Sequence, residues 1–452
     1  METIEQYVIA FADMAWGPWL LVLLLGGGLF FLIYSRLTPF RYIKHAIDII
    51  RGKYDHEDDT GDISHFQALS SALAGTIGMG NIAGVAIAIS LGGPGAIFWM
   101  WMSAIVGVAT KFFTCSLAIM YRGKDSLNHT QGGPMYVVVE GLGKKWKPLA
   151  MLFCIAGLIG CLPVFQTNQL VQVLRDIIFV PAGWVGEDHL VFDAIAGIMI
   201  AAFVSTVIFG GITRIGVVAA RLVPSMVVLY LLSAIWILLS NYQDVPGYLL
   251  LIVSDAFTGQ AAAGGALGSV IITGVRRAAF SNEAGIGTEA MAHGAAKTEE
   301  PIREGLVAMI GPFIDTIIVC TCTALIILIT GVWQDTSADG VTLTANAFSK
   351  GMPGIGAYVL IICVVFFSTS TMFSYSYYGT KCLGFLIGAE RQHLYNYFYV
   401  ALIVVAAIAS LDAAVSLIDG SYALMAIPTM VSALLLSPKV MAAAKDYFAR
   451  HK

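Results

Sequence analysis

Apolar runs long enough to cross a bilayer recur along this chain from end to end, and they limit the folds open to it. Charged residues make up 12% of its 452 residues, about half the share usual in soluble domains. Inside a bilayer every backbone N–H and C=O must be paired within the protein, so runs of about 20 apolar residues form helices. The sequence therefore predicts an all-α polytopic membrane protein.

We predict eleven transmembrane helices. They lie near 16–34, 66–92, 95–121, 148–174, 191–211, 215–239, 268–296, 303–330, 355–379, 395–411 and 413–436. With this count, most of the 25 lysines and arginines fall in loops on one side. Because basic loops stay cytoplasmic, the N-terminus is predicted outside and the C-terminus in the cytoplasm of a cell membrane.

Two glycine-rich stretches interrupt this pattern. In "AGTIGMGNIAG" the spaced glycines are Gly78 and Gly80, and in "RRAAFSNEAGIG" they are Gly285 and Gly287, at one constant offset. Five spans separate the two stretches, so they enter the membrane from opposite sides. This arrangement predicts a 5+5 inverted repeat preceded by one peripheral helix. The predicted units are 1–62 (peripheral helix and loop), 63–240 and 241–438 (the two repeats), and 439–452 (tail).

Glycine within a membrane helix allows the helix to unwind and a ligand to approach the backbone. Gly75, Gly78, Gly285 and Gly287 are therefore predicted at hinges or unwound segments. Free N–H groups at such a break suit a carboxylate, and free carbonyls suit Na⁺. The alternative is close helix packing through small residues. Three charges also fall within predicted spans, Lys111, Glu283 and Asp315, where charges are rare unless paired or functional.

The chain resembles the alanine/glycine:cation symporter family, sodium-coupled amino-acid transporters with the leucine-transporter fold of the APC superfamily. The stretches that carry the resemblance are "AGTIGMGNIAGVAIAISLGGPGAIFWMWM", "QGGPMYV", "RRAAFSNEAGIG" with "AHGAAK", and "YSYYG". They occur in order and are spread over nearly the whole chain.

The resemblance implies a substrate site at mid-membrane between two broken helices, with Na⁺ as the co-transported ion. The implied substrate-binding residues are Thr76, Met79, Gly80, Asn81, Gln166, Asn168, Phe280, Asn282 and Tyr375. The implied sodium ligands are the carbonyls of Ala74 and Ile77 and the hydroxyls of Ser370 and Thr371. Read from the residues alone, Gln166 and Asn168 could simply join helices, and Ser370 and Thr371 could bond back to their own helix.

Four positions depart from the family's usual residues. Met79 stands where threonine is common, and Tyr375 where tryptophan is common. Thr288 and Glu289 replace the residues found in the family's "GMGSAPIAH" stretch. These departures bear on which amino acid is preferred.

The resulting hypothesis is a sodium-coupled symporter that imports a small neutral amino acid, of the alanine or glycine type, by alternating access. The nearest alternative keeps the fold but uses a proton or a different amino acid. A channel would need a filter element repeated around an axis. No catalytic triad or metal-ligand motif indicates an enzyme, and we expect no organic cofactor, nucleic acid or obligate protein partner.

Overall fold

The computed structural model describes residues 2–56, 58–186, 188–258, 267–335, 338–408 and 411–450. Its main helices are α1 (Glu2–Ala15), α2 (Pro18–Tyr34), α3 (Ile43–Ile50), α4 (His65–Thr76), α5 (Gly80–Gly92), α6 (Gly95–Met120), α7 (Lys147–Gly160), α8 (Val164–Leu174), α9 (Leu190–Ile208), α10 (Gly211–Ser240), α11 (Val245–Thr258), α12 (Leu267–Asn282), α13 (Glu289–His293), α14 (Pro301–Thr330), α15 (Gly340–Gly351), α16 (Gly356–Ile387), α17 (Leu394–Ala406) and α18 (Leu411–Arg450). Shorter helical turns span Thr38–Arg41, Pro134–Tyr136, Val137–Leu142, Lys144–Trp146, Arg175–Phe179, Val332–Gln334 and Ala389–Arg391. Strands β1 (Gly123–Lys124) and β2 (Thr130–Gln131) form an antiparallel hairpin.

Within the described residues, seven helices are long and apolar enough to cross a membrane. Two bent helix pairs raise the number to nine if each counts as one span. They are α1 with α2, bent by 44°, and α4 with α5, bent by 51°. The helical, multi-spanning architecture expected from the sequence is thus confirmed.

The predicted number of eleven spans is not established by this count. The two remaining predicted spans are 268–296 and 395–411. The first contains α12 and the short α13, which are separated by a break, and the second contains α17, which has 13 residues. The eleven spans and the 5+5 repeat therefore stay predictions.

The helix α4 begins at a capping box and ends at a break in mid-chain. The Ser64 hydroxyl accepts the Gln67 N–H, and the Gln67 side chain accepts the Ser64 N–H, which satisfies two free donors at the helix start. Ile77 then adopts an extended conformation. Across the break, the Asn81 Oδ1 accepts the Gly78 N–H at 2.9 Å. We call α4, residues 77–79 and α5 the first broken helix.

A second break separates α12 from α13, and it is longer. Glu283, Gly285 and Gly287 all have positive φ, at 56°, 85° and 97°. Glycine adopts this left-handed conformation without a steric cost, whereas other residues rarely do. We call α12, residues 283–288 and α13 the second broken helix. The helix α6 packs against α12, and α4 packs against both α13 and α16, so the two broken helices lie in the centre of the bundle.

The two broken helices are tied together at the ends predicted to face the cytoplasm. Asp62 N–H donates to the Ala295 carbonyl at 2.8 Å, and Lys297 N–H donates to the Ile63 carbonyl at 2.7 Å. The Arg122 guanidinium donates to carbonyls on both sides of this contact, namely those of Thr60, Gly294, Ala296 and Thr298. Burial lowers the pKa of Arg122 from its ordinary value, and the charge of Glu304 opposes this effect.

Candidate functional site

The two broken helices cross at Gly80, directly after the first break. A Cβ atom placed on Gly80 would lie 3.1 Å from the Ser281 Cα and 3.3 Å from the Phe280 ring. Any side chain at Gly80 would therefore push the second broken helix away. Both Gly80 and Phe280, which the family resemblance assigns to the substrate, lie at this crossing.

Two of the residues that the resemblance assigns to the substrate have a buried polar atom with no hydrogen-bond partner within the described residues. These atoms are the Thr76 Oγ1, on the last residue of α4, and the Gln166 Oε1, in α8. A buried polar group without a partner costs about 1–3 kcal/mol, so native proteins rarely leave one unless something binds there. Thr76 can donate and accept, whereas an amide oxygen only accepts.

Asn81 and Asn282 serve as links between helices. Asn81 Nδ2 donates to the Asp315 Oδ1 at 2.7 Å, and Asn282 Nδ2 donates to the Thr316 Oγ1 at 3.0 Å. Ser281 Oγ also donates to Asp315, at 2.8 Å. Asp315 in α14 thus bonds to both broken helices at once. The sequence marked Asp315 only as a charge within a span, and it offered no signal for Ser281.

An aromatic layer surrounds the meeting point of the breaks. The Phe280 ring lies edge-on to Phe165, with centroids 4.9 Å apart, and 5.9 Å from Tyr422. The Tyr375 hydroxyl donates to the Glu283 Oε1 at 2.6 Å and also bonds to Tyr422. Tyr375 therefore faces the second break, and Tyr422 is a wall residue that sequence reasoning did not find.

For two of the implied substrate residues, Met79 and Asn168, the surroundings do not indicate a polar contact with a substrate at the breaks. Met79 is fully buried in the core beside the first break. Asn168 is half-buried, accepts a bond from Gln169 at 3.1 Å, and lines a separate cavity of about 220 Å³ with Gln172 and Arg175. The spacing of Gln166 and Asn168 along one helix turns their side chains in different directions.

The implied sodium ligands come from α4 and α16, which pack against each other. A Cβ on Gly78 would overlap the Thr371 hydroxyl, so Thr371 lies directly at the first break. Ser370 and Thr371 both donate to the Phe367 carbonyl at 3.0 Å. This back-bonding uses each hydroxyl's hydrogen and leaves oxygen lone pairs that can accept a cation. Ala74 lies in the last turn of α4 and Ile77 just beyond it, where carbonyls carry the negative end of the helix dipole.

A cavity of about 300 Å³ lies at the predicted outer end of both broken helices. Arg276 donates to Asp419 at 2.7 Å and to Asp13 at 2.9 Å, and Arg277 also bonds to Asp419. The guanidinium of Arg277 lies 5.2 Å from the centre of the Phe280 ring. These arginines are therefore largely neutralised, and they join α12 to α18.

Comparisons with known proteins identify the family of this chain. The family model described as "Sodium:alanine symporter family" matches residues 1–452. The "Sodium/alanine symporter AgcS" of Methanococcus maripaludis is 41% identical over 96% of this chain and 95% of that protein. The "Probable sodium/glutamine symporter GlnT" of Bacillus subtilis is 36% identical over 100% and 92%.

A solved structure also shares the fold. The crystal structure of MhsT in complex with L-phenylalanine superposes with a TM-score of 0.57 and covers 85% of this chain and 98% of that one, at 13% identity. At this identity the likeness shows a leucine-transporter-like fold and nothing further. From the match over its full length, the chain belongs to the sodium:alanine symporter family, a family of multi-pass membrane transporters.

Proposed function

We propose that this chain is a sodium-coupled symporter that imports a small neutral amino acid into the cell by alternating access. Its N-terminus would lie outside and its C-terminus in the cytoplasm. The observation that carries the proposal is the crossing of the two broken helices at Gly80 together with two buried polar atoms that have no partner within the described residues. These atoms are the Thr76 Oγ1, at the end of α4, and the Gln166 Oε1, next to Phe165, whose ring packs on Phe280.

These two atoms complement an amino-acid zwitterion. The Gln166 Oε1 can accept a hydrogen bond from the substrate's ammonium group, and the Thr76 hydroxyl can donate one to its carboxylate. Backbone N–H groups near Gly80 would complete the carboxylate site, as at other helix starts. Phe280, Phe165 and Tyr422 crowd the remaining space, which favours a small side chain.

Sodium would bind between the hydroxyls of Ser370 and Thr371 and the carbonyls of Ala74 and Ile77. Hard cations prefer oxygen ligands, and all four groups supply oxygen. An ion there would join α4 to α16. Sodium binding would thus favour one arrangement of the first broken helix, and the sodium gradient would drive uptake.

The cytoplasmic contact between the two broken helices defines the inner barrier in this proposal. Opening the site inward would separate Ile63 from Lys297 and release the Arg122 contacts. Substrate and sodium would favour that change only by binding the inward-open state relatively better.

A different amino acid is the second candidate, because Met79 and Tyr375 depart from the residues usual in the family. The relative titled a probable sodium/glutamine symporter supports testing a larger amide side chain. A proton in place of sodium is the other alternative.

Uptake of labelled alanine into proteoliposomes, with and without an inward sodium gradient, tests the proposal. Glycine, serine and glutamine serve as competitors. We expect sodium-dependent uptake that is lost in the Ser370→Ala/Thr371→Ala double variant. Thr369→Ala is the matched control, because Thr369 also bonds back to its own helix, at Val365. Uptake driven by a pH gradient alone would overturn the sodium assignment, and glutamine as the best competitor would overturn the small-substrate assignment.

A further inference from the structure

A cluster of buried charges lies beside the second break. Lys111 on α6 is 1% exposed, and the carboxylates of Glu283, Glu289 and Asp315 are fully buried. The charge of Lys111 acts on all three carboxylates. Buried ionisable groups in a membrane protein are costly and usually functional.

Two of these three carboxylates have several hydrogen-bond donors. Asp315 accepts from Asn81, Ser281 and Thr316 at 2.7–2.8 Å. Glu283 accepts from Tyr375, and its second oxygen accepts from Thr288. Such donors take the place of water around a buried negative charge.

Glu289 differs from both. Neither of its carboxylate oxygens has a hydrogen-bond partner among the described residues, although the side chain is fully buried. The nearby Ala290 and Cys115 belong to a small apolar cluster with Ala118 and Ala308. A charge left in such a place is unfavourable unless another group compensates for it.

The groups around Glu289 compensate for its charge only in part, through Lys111, its own backbone N–H, His293 and the Thr288 side chain. The helix α6 contributes Lys111, whose single charge is shared with Glu283 and Asp315. His293 on α13 lies nearby, and it bonds to the Glu304 carboxylate on α14, which also bonds to His65 on α4. The remaining titratable neighbours are Cys115 on α6 and Tyr378 on α16, and both are neutral when protonated.

A sodium ion is poorly suited to neutralise Glu289. A hard cation is held by several oxygen ligands, whereas the adjoining cluster is formed by alanines and a cysteine. A proton needs only the carboxylate itself. We propose that Glu289 is a proton-binding site, protonated while α13 is buried and deprotonated when the transport cycle exposes α13 to water. The step is the exchange R–COOH ⇌ R–COO⁻ + H⁺, in which only an O–H bond changes. Its link to transport rests on the function proposed above.

The position of Glu289 supports this link. It is the first residue of α13, two residues after Gly287 and four after Gly285, both of which have a left-handed backbone. Glu289 therefore lies at the junction between this segment and α13, where a change in the backbone of the segment would alter its surroundings. Proton binding and release would then make the transport rate depend on pH.

Infrared spectroscopy of the purified protein tests proton binding without requiring transport. At neutral pH we expect a C=O stretching band of a protonated carboxylic acid, which disappears in Glu289→Gln and is shifted in Glu289→Asp. Glu140→Gln is the matched control, since Glu140 is exposed in the short helical turn Val137–Leu142, and should leave the band unchanged. Absence of the band from the wild type, or its persistence in Glu289→Gln, would overturn the proposal.

Transport measurements then test the coupling. In proteoliposomes with a fixed sodium gradient, the wild-type rate of alanine uptake should change several-fold as the pH is varied over the range in which the protein stays folded, because the protonated fraction of Glu289 changes. Glu289→Gln should flatten the profile, and a pH-sensitive dye inside the liposomes should lose its alanine-evoked signal. An unaltered profile in Glu289→Gln would refute the coupling. Failure of the wild type to take up any amino acid would instead refute the proposed function, while the infrared result would still decide whether Glu289 binds a proton.

Discussion

The two broken helices both interrupt their backbone hydrogen bonding inside the bundle, but different residues accommodate the two interruptions. The first break is short, its glycines have no left-handed backbone angle, and an amide from Asn81 caps it. The second is longer, holds three residues with positive φ, and contains the Glu283 carboxylate with its own hydroxyl donors. Glycine is needed for space in the first break and for backbone conformation in the second.

This difference suggests a division of labour. At the first break the Thr76 Oγ1 has no partner in the part of the chain that the structure describes, so this break is suited to a ligand that binds and dissociates. At the second break, the Glu283 carboxylate already accepts hydrogen bonds from Thr288 and Tyr375. The second break is therefore suited to act as a hinge. A carboxylate fixed inside a break also brings a titratable group to the centre of the bundle.

The largest expected effect concerns space at the first break. Gly80→Ala should reduce sodium-driven alanine uptake by about 100-fold, because its Cβ would meet the backbone of Ser281 at 3.1 Å and tight sites tolerate added volume poorly. Gly84→Ala is the matched control, since the nearest atoms to its Cβ lie 3.9 Å away, and it should stay within about twofold of the wild type. Equal losses in both variants would show that the crossing at Gly80 is not critical.

The next effect tests which polar side chain serves the first break. Gln166→Ala should raise the alanine concentration for half-maximal uptake by about 10-fold or more, the equivalent of a charged hydrogen bond worth about 1.5–3 kcal/mol. Asn168→Ala should change it by less than about threefold, because Asn168 lines the separate cavity with Gln172 and a membrane hydrogen bond contributes about 0.6 kcal/mol on average. The opposite ranking would move the substrate toward Asn168.

A smaller effect is expected at the second break. Tyr375→Phe removes a donor to Glu283 but leaves the Tyr422 hydroxyl 3.3 Å from the same oxygen. We expect a loss of about 1.5 kcal/mol in stability, measured as a lower unfolding midpoint in detergent. Tyr377→Phe, on the same helix, is the control. A midpoint unchanged in Tyr375→Phe would mean that Glu283 does not depend on this hydroxyl.

The smallest effect is expected at the outer end of the second broken helix. Arg276 is paired with Asp419 and Asp13, so it contributes little net field to attract a carboxylate. Arg276→Gln should change the apparent KM for alanine by less than about threefold, with little change in its salt dependence. If Arg276→Gln raised the KM strongly at low salt and added salt abolished this rise, Arg276 would have a role in steering the substrate.

The sequence was a good guide to interruptions and a poor guide to partners. Glycine pairs predicted both breaks, since few other residues permit close approach or left-handed backbone. Gly75, in contrast, is the second-to-last residue of the helix α4, two residues before the extended Ile77. The implied roles of Asn81 and Asn282 could not be judged from sequence, because both amides bond to the distant helix α14. Asn81 bonds to Asp315, 234 residues further along the chain, and Asn282 bonds to Thr316, 34 residues further along.

The sequence by itself determined that this chain is a helical membrane transporter of a recognisable family. The length of the apolar runs, the position of the basic loops and the spacing of the glycines are local properties of the chain, and they decide how it inserts into a bilayer. Only the tertiary structure decided which buried polar groups are satisfied. Asp315 and Glu283 receive donors from helices distant in the chain, whereas Glu289, on the same short segment as Glu283, receives none within the described residues. Hydrogen bonding depends on angles and distances of a few tenths of an ångström, and these exist only once the helices have packed.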